Sequence, residues 1–123
     1  RQNHFNPVPD RNGDISMKYY RVGKKTAFGL TYYTRNCVFE PSDPDYSGID
    51  LTLKQMEAAF RLGKPAIISS HRVNFVGAID PANRKKGLND LKYLLNAILN
   101  RWPDIEFMST GDFVVNSSIN SVQ

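Results

Sequence analysis

One cysteine, one tryptophan and two histidines among 123 residues leave little room for several kinds of chemistry. Cys37 is the lone thiol, so no disulfide closes within the chain and no cysteine cluster can hold zinc or an iron–sulfur centre. No apolar run approaches the roughly 20 residues that crossing a bilayer requires, so no membrane span is expected, and no signal-like segment opens the chain. H-E-x-x-H, G-x-S-x-G and a glycine-rich phosphate loop are all missing; Gly23-Lys24-Lys25 lacks the earlier glycine that a phosphate loop needs. Internal repeats and low-complexity segments are absent as well.

Charge of one sign is not concentrated anywhere. The formal net charge is +4 and the pI about 9.3, but Arg21, Lys24 and Lys25 are far in sequence from Arg84, Lys85 and Lys86, with acidic residues between them. A nucleic-acid footprint needs a face or stripe of Lys and Arg, so a solvated basic surface is expected and a nucleic-acid partner is not.

What is present suffices for one domain spanning residues 1–123, with 41% hydrophobic residues and 11% aromatics to build a core. The opening RQNHFNPVPDRNGD reads as the middle of a loop, which predicts an irregular segment over 1–16 and an earlier part of the protein before Arg1. MKYYRV (17–22) and TAFGLTYYTRNCVFE (26–40) read as strands on either side of the Gly23-Lys24-Lys25 turn signal. PSDPDYSGID (41–50) is a loop by composition. Thr52 and Gln55 then have capping-box spacing at the start of a helix whose apolar positions are Leu53, Met56 and Phe60, closed by Gly63 and Pro65.

AIISS (66–70) is apolar and too short for a buried helix, which predicts a strand covered on both faces. A loop over 73–86 leads into a second helix from near Asn83 to Trp102, with Leu88, Leu91, Leu94, Leu95, Ile98 and Trp102 on one stripe and Pro103 forcing the exit. IEFM (105–108) reads as a strand, Ser109 and Asp112 as the cap of a short helix through Val115, and 116–123 as a polar tail. Strand and helix alternate in this way in α/β folds with parallel strands and crossover helices.

Functional groups in such folds gather at the carboxyl ends of strands, where loops carry polar side chains on a rigid base. TRNCVFEP and SSHRVNF occupy two such ends. His71 is the candidate catalytic residue, because its ordinary pKa near 6.5 suits proton transfer and a strand end fixes its orientation. Arg72 is suited to holding a carboxylate, stabilising developing negative charge or pinning the loop. Asn74 is suited to hydrogen bonding with substrate hydroxyls or with loop backbone. Arg35, Asn36 and Glu40 are candidates on the substrate side, with an internal ion pair or an ordinary surface ending as the plainer account of Arg35 and Glu40. Strict alternation places Arg35, Cys37 and Phe39 on one face and Asn36, Val38 and Glu40 on the other. Cys37 reads as a small buried residue, since no base accompanies it. His4 reads as a surface residue, and Asn116 opens a formal glycosylation sequon that is common by chance.

RNCVFEPS (35–42), KPAIISSHRVNFVG (64–77) and GLNDLKYLLNAILNRWPDIEFMSTGDF (87–113) together resemble the later part of polysaccharide deacetylase-like proteins, carbohydrate esterases built on an incomplete (β/α) barrel. The likeness covers roughly residues 26–115. It implies removal of acetyl groups from a polysaccharide or oligosaccharide substrate by a secreted or periplasmic enzyme. A divalent metal held by an Asp-His-His set and an aspartate base would come from the earlier part of the protein, with no metal ligand expected from this chain. The family ends a late strand in a general-acid histidine, a position His71 matches, although Ser69 stands where the family has leucine. Two other readings stand beside it. One is a non-catalytic glycan-binding or structural barrel segment, which calls for a buried, fully bonded His71. The other is a hydrolase using Glu40 as acid or base, which calls for Glu40 and His71 to meet in one cleft.

Overall fold

The structure, a computed structural model, describes residues 5–9, 12–13, 15–19 and 23–122. It is a mixed α/β arrangement with a two-stranded parallel sheet and three helices. Strands β1 (Phe5–Pro9) and β2 (Ile15–Tyr19) form an antiparallel hairpin, so the expectation of an irregular segment over 1–16 is corrected. Asn12-Gly13 lies in the connection, and Gly13 has φ 83, the left-handed conformation that this dipeptide supplies to hairpins. Pro7 and Pro9 are tolerated because every strand of a two-stranded ribbon is an edge. Of the strand expected over 17–22, the last three residues lie outside the described ones.

The long strand expected over 26–40 shrinks to β3 (Cys37–Val38). Thr26 explains part of the loss, since its Oγ1 accepts from the N–H groups of Phe28 and Leu30 at 3.2 and 3.1 Å and closes a turn around Gly29 instead. Helix α1 (Ile49–Arg61) follows, then β4 (Ile68–Ser69), which pairs parallel with β3 in the register Cys37↔Ile68 and Val38↔Ser69. A single 3-10 turn, Arg72–Asn74, leads to α2 (Pro81–Arg101), whose N-cap Asp80 accepts from the Ala82 N–H at 2.9 Å. Helix α3 (Thr110–Val122) closes the described chain, longer than expected because the polar tail continues the helix.

Thr52 and Gln55 do not cap α1, which begins three residues earlier at Ile49. Both side chains instead hold β3: Thr52 Oγ1 donates to the Val38 carbonyl at 2.5 Å, and Gln55 Oε1 accepts from the Val38 N–H at 2.8 Å. A two-residue strand has few ladder bonds of its own, so the helix supplies what the sheet does not. The cap expected of Ser109 and Asp112 does form, with Ser109 Oγ donating to Asp112 Oδ2 at 2.6 Å and accepting from the Asp112 N–H at 3.2 Å. The strand expected at 105–108 is absent: these residues lie outside any helix or strand.

The core consists of Cys37, Phe39, Leu53, Met56, Leu94 and Ile98, with Tyr46, Phe60, Phe75 and Trp102 packed around it. Phe60 meets Trp102 edge-on at 5.0 Å between ring centres, joining α1 to the end of α2. Leu88 and Leu95 of the expected apolar stripe are exposed, because α2 presses only its Leu94–Ile98 side into the core. Among the described residues no helix is long and apolar enough to cross a membrane.

Candidate functional site

The register of the small sheet assembles the site. β3 and β4 pair at a constant sequence offset, Cys37 with Ile68 and Val38 with Ser69, and Phe39 N–H continues the ladder to the Ser69 carbonyl at 2.9 Å. Two residues past each strand the same register brings Glu40 beside His71. Neighbouring parallel strands run about 4.8 Å apart, within reach of a glutamate and a histidine on the same side.

His71 Nδ1 lies 2.7 Å from Glu40 Oε1. The His71 backbone N–H and the Asn74 side-chain amide donate to Glu40 Oε2 at 3.3 and 2.7 Å. A carboxylate only accepts hydrogen bonds, so Nδ1 is the ring nitrogen that carries the proton. Nε2 is then left to face solvent, in a side chain that is 75% exposed while that of Glu40 is only 12% exposed. A buried carboxylate that fixes the near side of an imidazole and leaves the far nitrogen open is an arrangement for proton transfer.

Asn74, a substrate-side candidate in the sequence, lies beneath this pair with no exposed surface. Its Oδ1 accepts from the Ser42 N–H at 2.9 Å, and its amide also reaches the His71 carbonyl at 2.9 Å and Ser70 Oγ at 3.1 Å. The side chain's hydrogen bonds are therefore committed to the loops. Asn36 is likewise turned inward: its amide donates to the Pro65 carbonyl at 2.9 Å and its Oδ1 accepts from the Ile67 N–H at 2.7 Å, tying the entries of the two strands together. Arg35 remains on the cleft wall, where Nη1 donates to Ser69 Oγ at 3.4 Å. It forms no ion pair with Glu40, whose partner is His71. Arg72 is exposed in the turn and is not among the residues lining the cleft.

The cleft has a volume of about 470 Å³, and Glu40, His71, Arg35, Ser42 and Asp43 are among its walls. Ser42 Oγ is buried without a hydrogen-bond partner. On the far side of the Glu40 loop, Lys86 Nζ donates to the Pro41 carbonyl at 2.9 Å and to Asp90 Oδ2 at 2.7 Å, which pins the loop to α2. Cys37 has no place in the chemistry: it is fully buried and burial pushes its thiol up to about 11, far from a usable thiolate. His4 lies outside the described residues.

Sequence reasoning missed Gly87. A Cβ added there would stand 1.8 Å from the Asn74 carbonyl oxygen, so α2 approaches the turn more closely than any other residue permits. The available signal was a glycine in the interior of a helical pattern, which costs about 1 kcal/mol against alanine and calls for a packing reason.

Among the described residues no three of His, Cys, Asp and Glu converge. Comparison with known protein families, with curated proteins and with solved structures finds no match.

Proposed function

We propose that this chain carries the general-acid side of a carbohydrate-active hydrolase of polysaccharide deacetylase type, the later segment of a (β/α) barrel whose remaining part supplies the metal and the base. The observation that carries the reading is the 2.7 Å contact between Glu40 Oε1 and His71 Nδ1, in a largely exposed ring on the cleft wall. Cleavage of an amide or ester expels an amine or alkoxide, a poor leaving group until it receives a proton. Protonated His71 donates that proton from Nε2, while Glu40 stabilises the imidazolium and holds the ring plane. Arg35, on the wall beside Ser69, is placed to meet acyl or hydroxyl oxygens of the sugar.

A ring with a purely structural role would be buried with both nitrogens bonded, and His71 is neither. Glu40 is itself an unsuitable acid or base toward substrate, because both its oxygens are occupied and its side chain is nearly covered.

The test is acetate release from acetylated oligosaccharides by the full-length protein and its His71→Ala variant, with and without added divalent metal. A loss of roughly 10²- to 10⁴-fold is expected, the usual share of a positioned acid. Unchanged release in the variant would refute the reading.

A further inference from the structure

We propose that Asn74, held against α2 at Gly87, is a positioning residue that fixes the Nδ1–H tautomer and the outward aim of His71 by acting through Glu40. The proposal rests on the reading of His71 as the proton-transfer group.

The Ser42 backbone N–H can only donate, so the atom 2.9 Å from it must be the oxygen of the Asn74 side chain. That decides the amide's orientation and turns its NH₂ toward Glu40 Oε2, 2.7 Å away. With Oε2 occupied by Asn74 and by the His71 N–H, Oε1 is the carboxylate atom left to face Nδ1. The carboxylate that keeps the proton on Nδ1, and with it the lone pair on Nε2 of the neutral ring, is thus held in place by a buried asparagine.

The position of Asn74 is in turn set by α2. The carbonyl oxygen of Asn74 lies where the Cβ of any residue but glycine at 87 would stand, and the ring of Phe75 is in ordinary contact range of the same point. Helix and turn therefore meet backbone to backbone, and a 21-residue helix anchors a three-residue turn. Aspartate at 74 would keep the acceptor for Ser42 but lose the donor to Glu40 and set two carboxylates together.

Nuclear magnetic resonance of the imidazole nitrogens tests this without any substrate. These 123 residues contain two histidines, so in a protein of this sequence a His4→Gln variant identifies the His71 signals. At a pH where the ring is neutral, the native protein is expected to show His71 as the Nδ1–H tautomer. Asn74→Asp, and independently Gly87→Ala, should lose that preference, and in the full-length protein kcat for deacetylation should fall about 100-fold at unchanged KM, the scale of a 1 Å misplacement. Ser70→Ala, which removes only a weaker acceptor of the same amide, should leave the tautomer as it was. A folded Asn74→Asp or Gly87→Ala protein with the native His71 tautomer would overturn the proposal. Should both variants fail to fold, the native ring decides: an Nε2–H or mixed tautomer overturns it too. If the tautomers behave as stated while the full-length protein with divalent metal releases no acetate, the deacetylase reading fails and the positioning role stands.

Discussion

Two clefts of nearly equal volume flank the small parallel sheet, about 470 Å³ on the side of Glu40 and His71 and about 460 Å³ between α1, Pro65–Ile68 and the residues around Phe107. Strand β4 serves both. Ser69 lines the first and Ile68 the second, because successive side chains of a strand point to opposite faces. The first cleft is held by hydrogen bonds between a few named atoms, whereas the second is walled by Met56, Phe60, Ile105, Phe107, Met108 and Phe113 with little polar fixation. Size therefore does not distinguish them. Convergent polar groups on rigid strand ends do, and only the first has them.

The largest expected effect is on what lies behind the polar cleft. Phe39 is buried, stacks on Phe75 at 6.4 Å between ring centres and immediately precedes Glu40. Phe39→Ala should cost about 3–5 kcal/mol in denaturant unfolding and broaden the His71 ring signals as the Glu40 loop loosens. A cost near that of an exposed residue would mean that the polar cleft does not lean on the core.

Next in size is an alkaline effect on Cys37, in the sheet between the two clefts. Its folded pKa is raised to about 11 from an ordinary 9.0, so the stability it contributes is complete below pH 9 and is lost as pH rises toward 11. The loss is on the order of 2–3 kcal/mol. Urea melts across that window should show the decline in the native protein and a smaller one in Cys37→Val; equal declines would assign it elsewhere.

A pair of substitutions then sets one cleft against the other. Glu40→Leu removes the shared acceptor of the Asn74 amide and the His71 N–H and should cost about 1–3 kcal/mol. Phe107→Ala, at a ring more than half exposed, should stay within about 0.5 kcal/mol. Equal costs, measured by thermal unfolding, would erase the distinction between a cleft built on fixed atoms and one that is not.

The smallest effect is at the end of the apolar side, where the Ser109 hydroxyl and backbone N–H hold the Asp112 carboxyl below its ordinary 3.8. A lowered pKa stabilises above the ordinary value and is lost as pH falls, so the start of α3 should fray below about pH 4. Circular dichroism on acidification should detect this, and Ser109→Ala, which keeps only the backbone N–H, should weaken the dependence.

Several elements could be read directly from residue order. α1 and α2 follow from their apolar spacing and from Gly63, Pro65 and Pro103; AIISS gave β4 with His71 just past it, although the strand is only Ile68–Ser69 and Ile68 is exposed rather than covered on both faces. The β1–β2 hairpin escaped because prolines usually argue against strands, and the Asn12-Gly13 signal that outweighs them is only two residues long. The strand expected at 105–108 failed for a different reason. A short apolar run is a strand only if a neighbour takes up its backbone hydrogen bonds, and no described segment does so here.

Within the site, residue types and strand ends nominated His71 and Glu40 separately, since a titratable ring or carboxyl at the end of a buried strand is visible in one dimension. Their pairing was not, because the register of β3 against β4 depends on how α1 returns the chain and on Thr52 and Gln55 gripping Val38. The roles of Asn36 and Asn74 were equally hidden. An asparagine reads the same whether its amide faces solvent or holds two loops together, and burial decided for the loops. Sequence alone determined which titratable groups this chain has and that strand ends would carry them. The tertiary structure decided which carboxylate orients the histidine and why residue 87 is glycine, because both depend on atoms distant in the chain being brought within hydrogen-bond or van der Waals range.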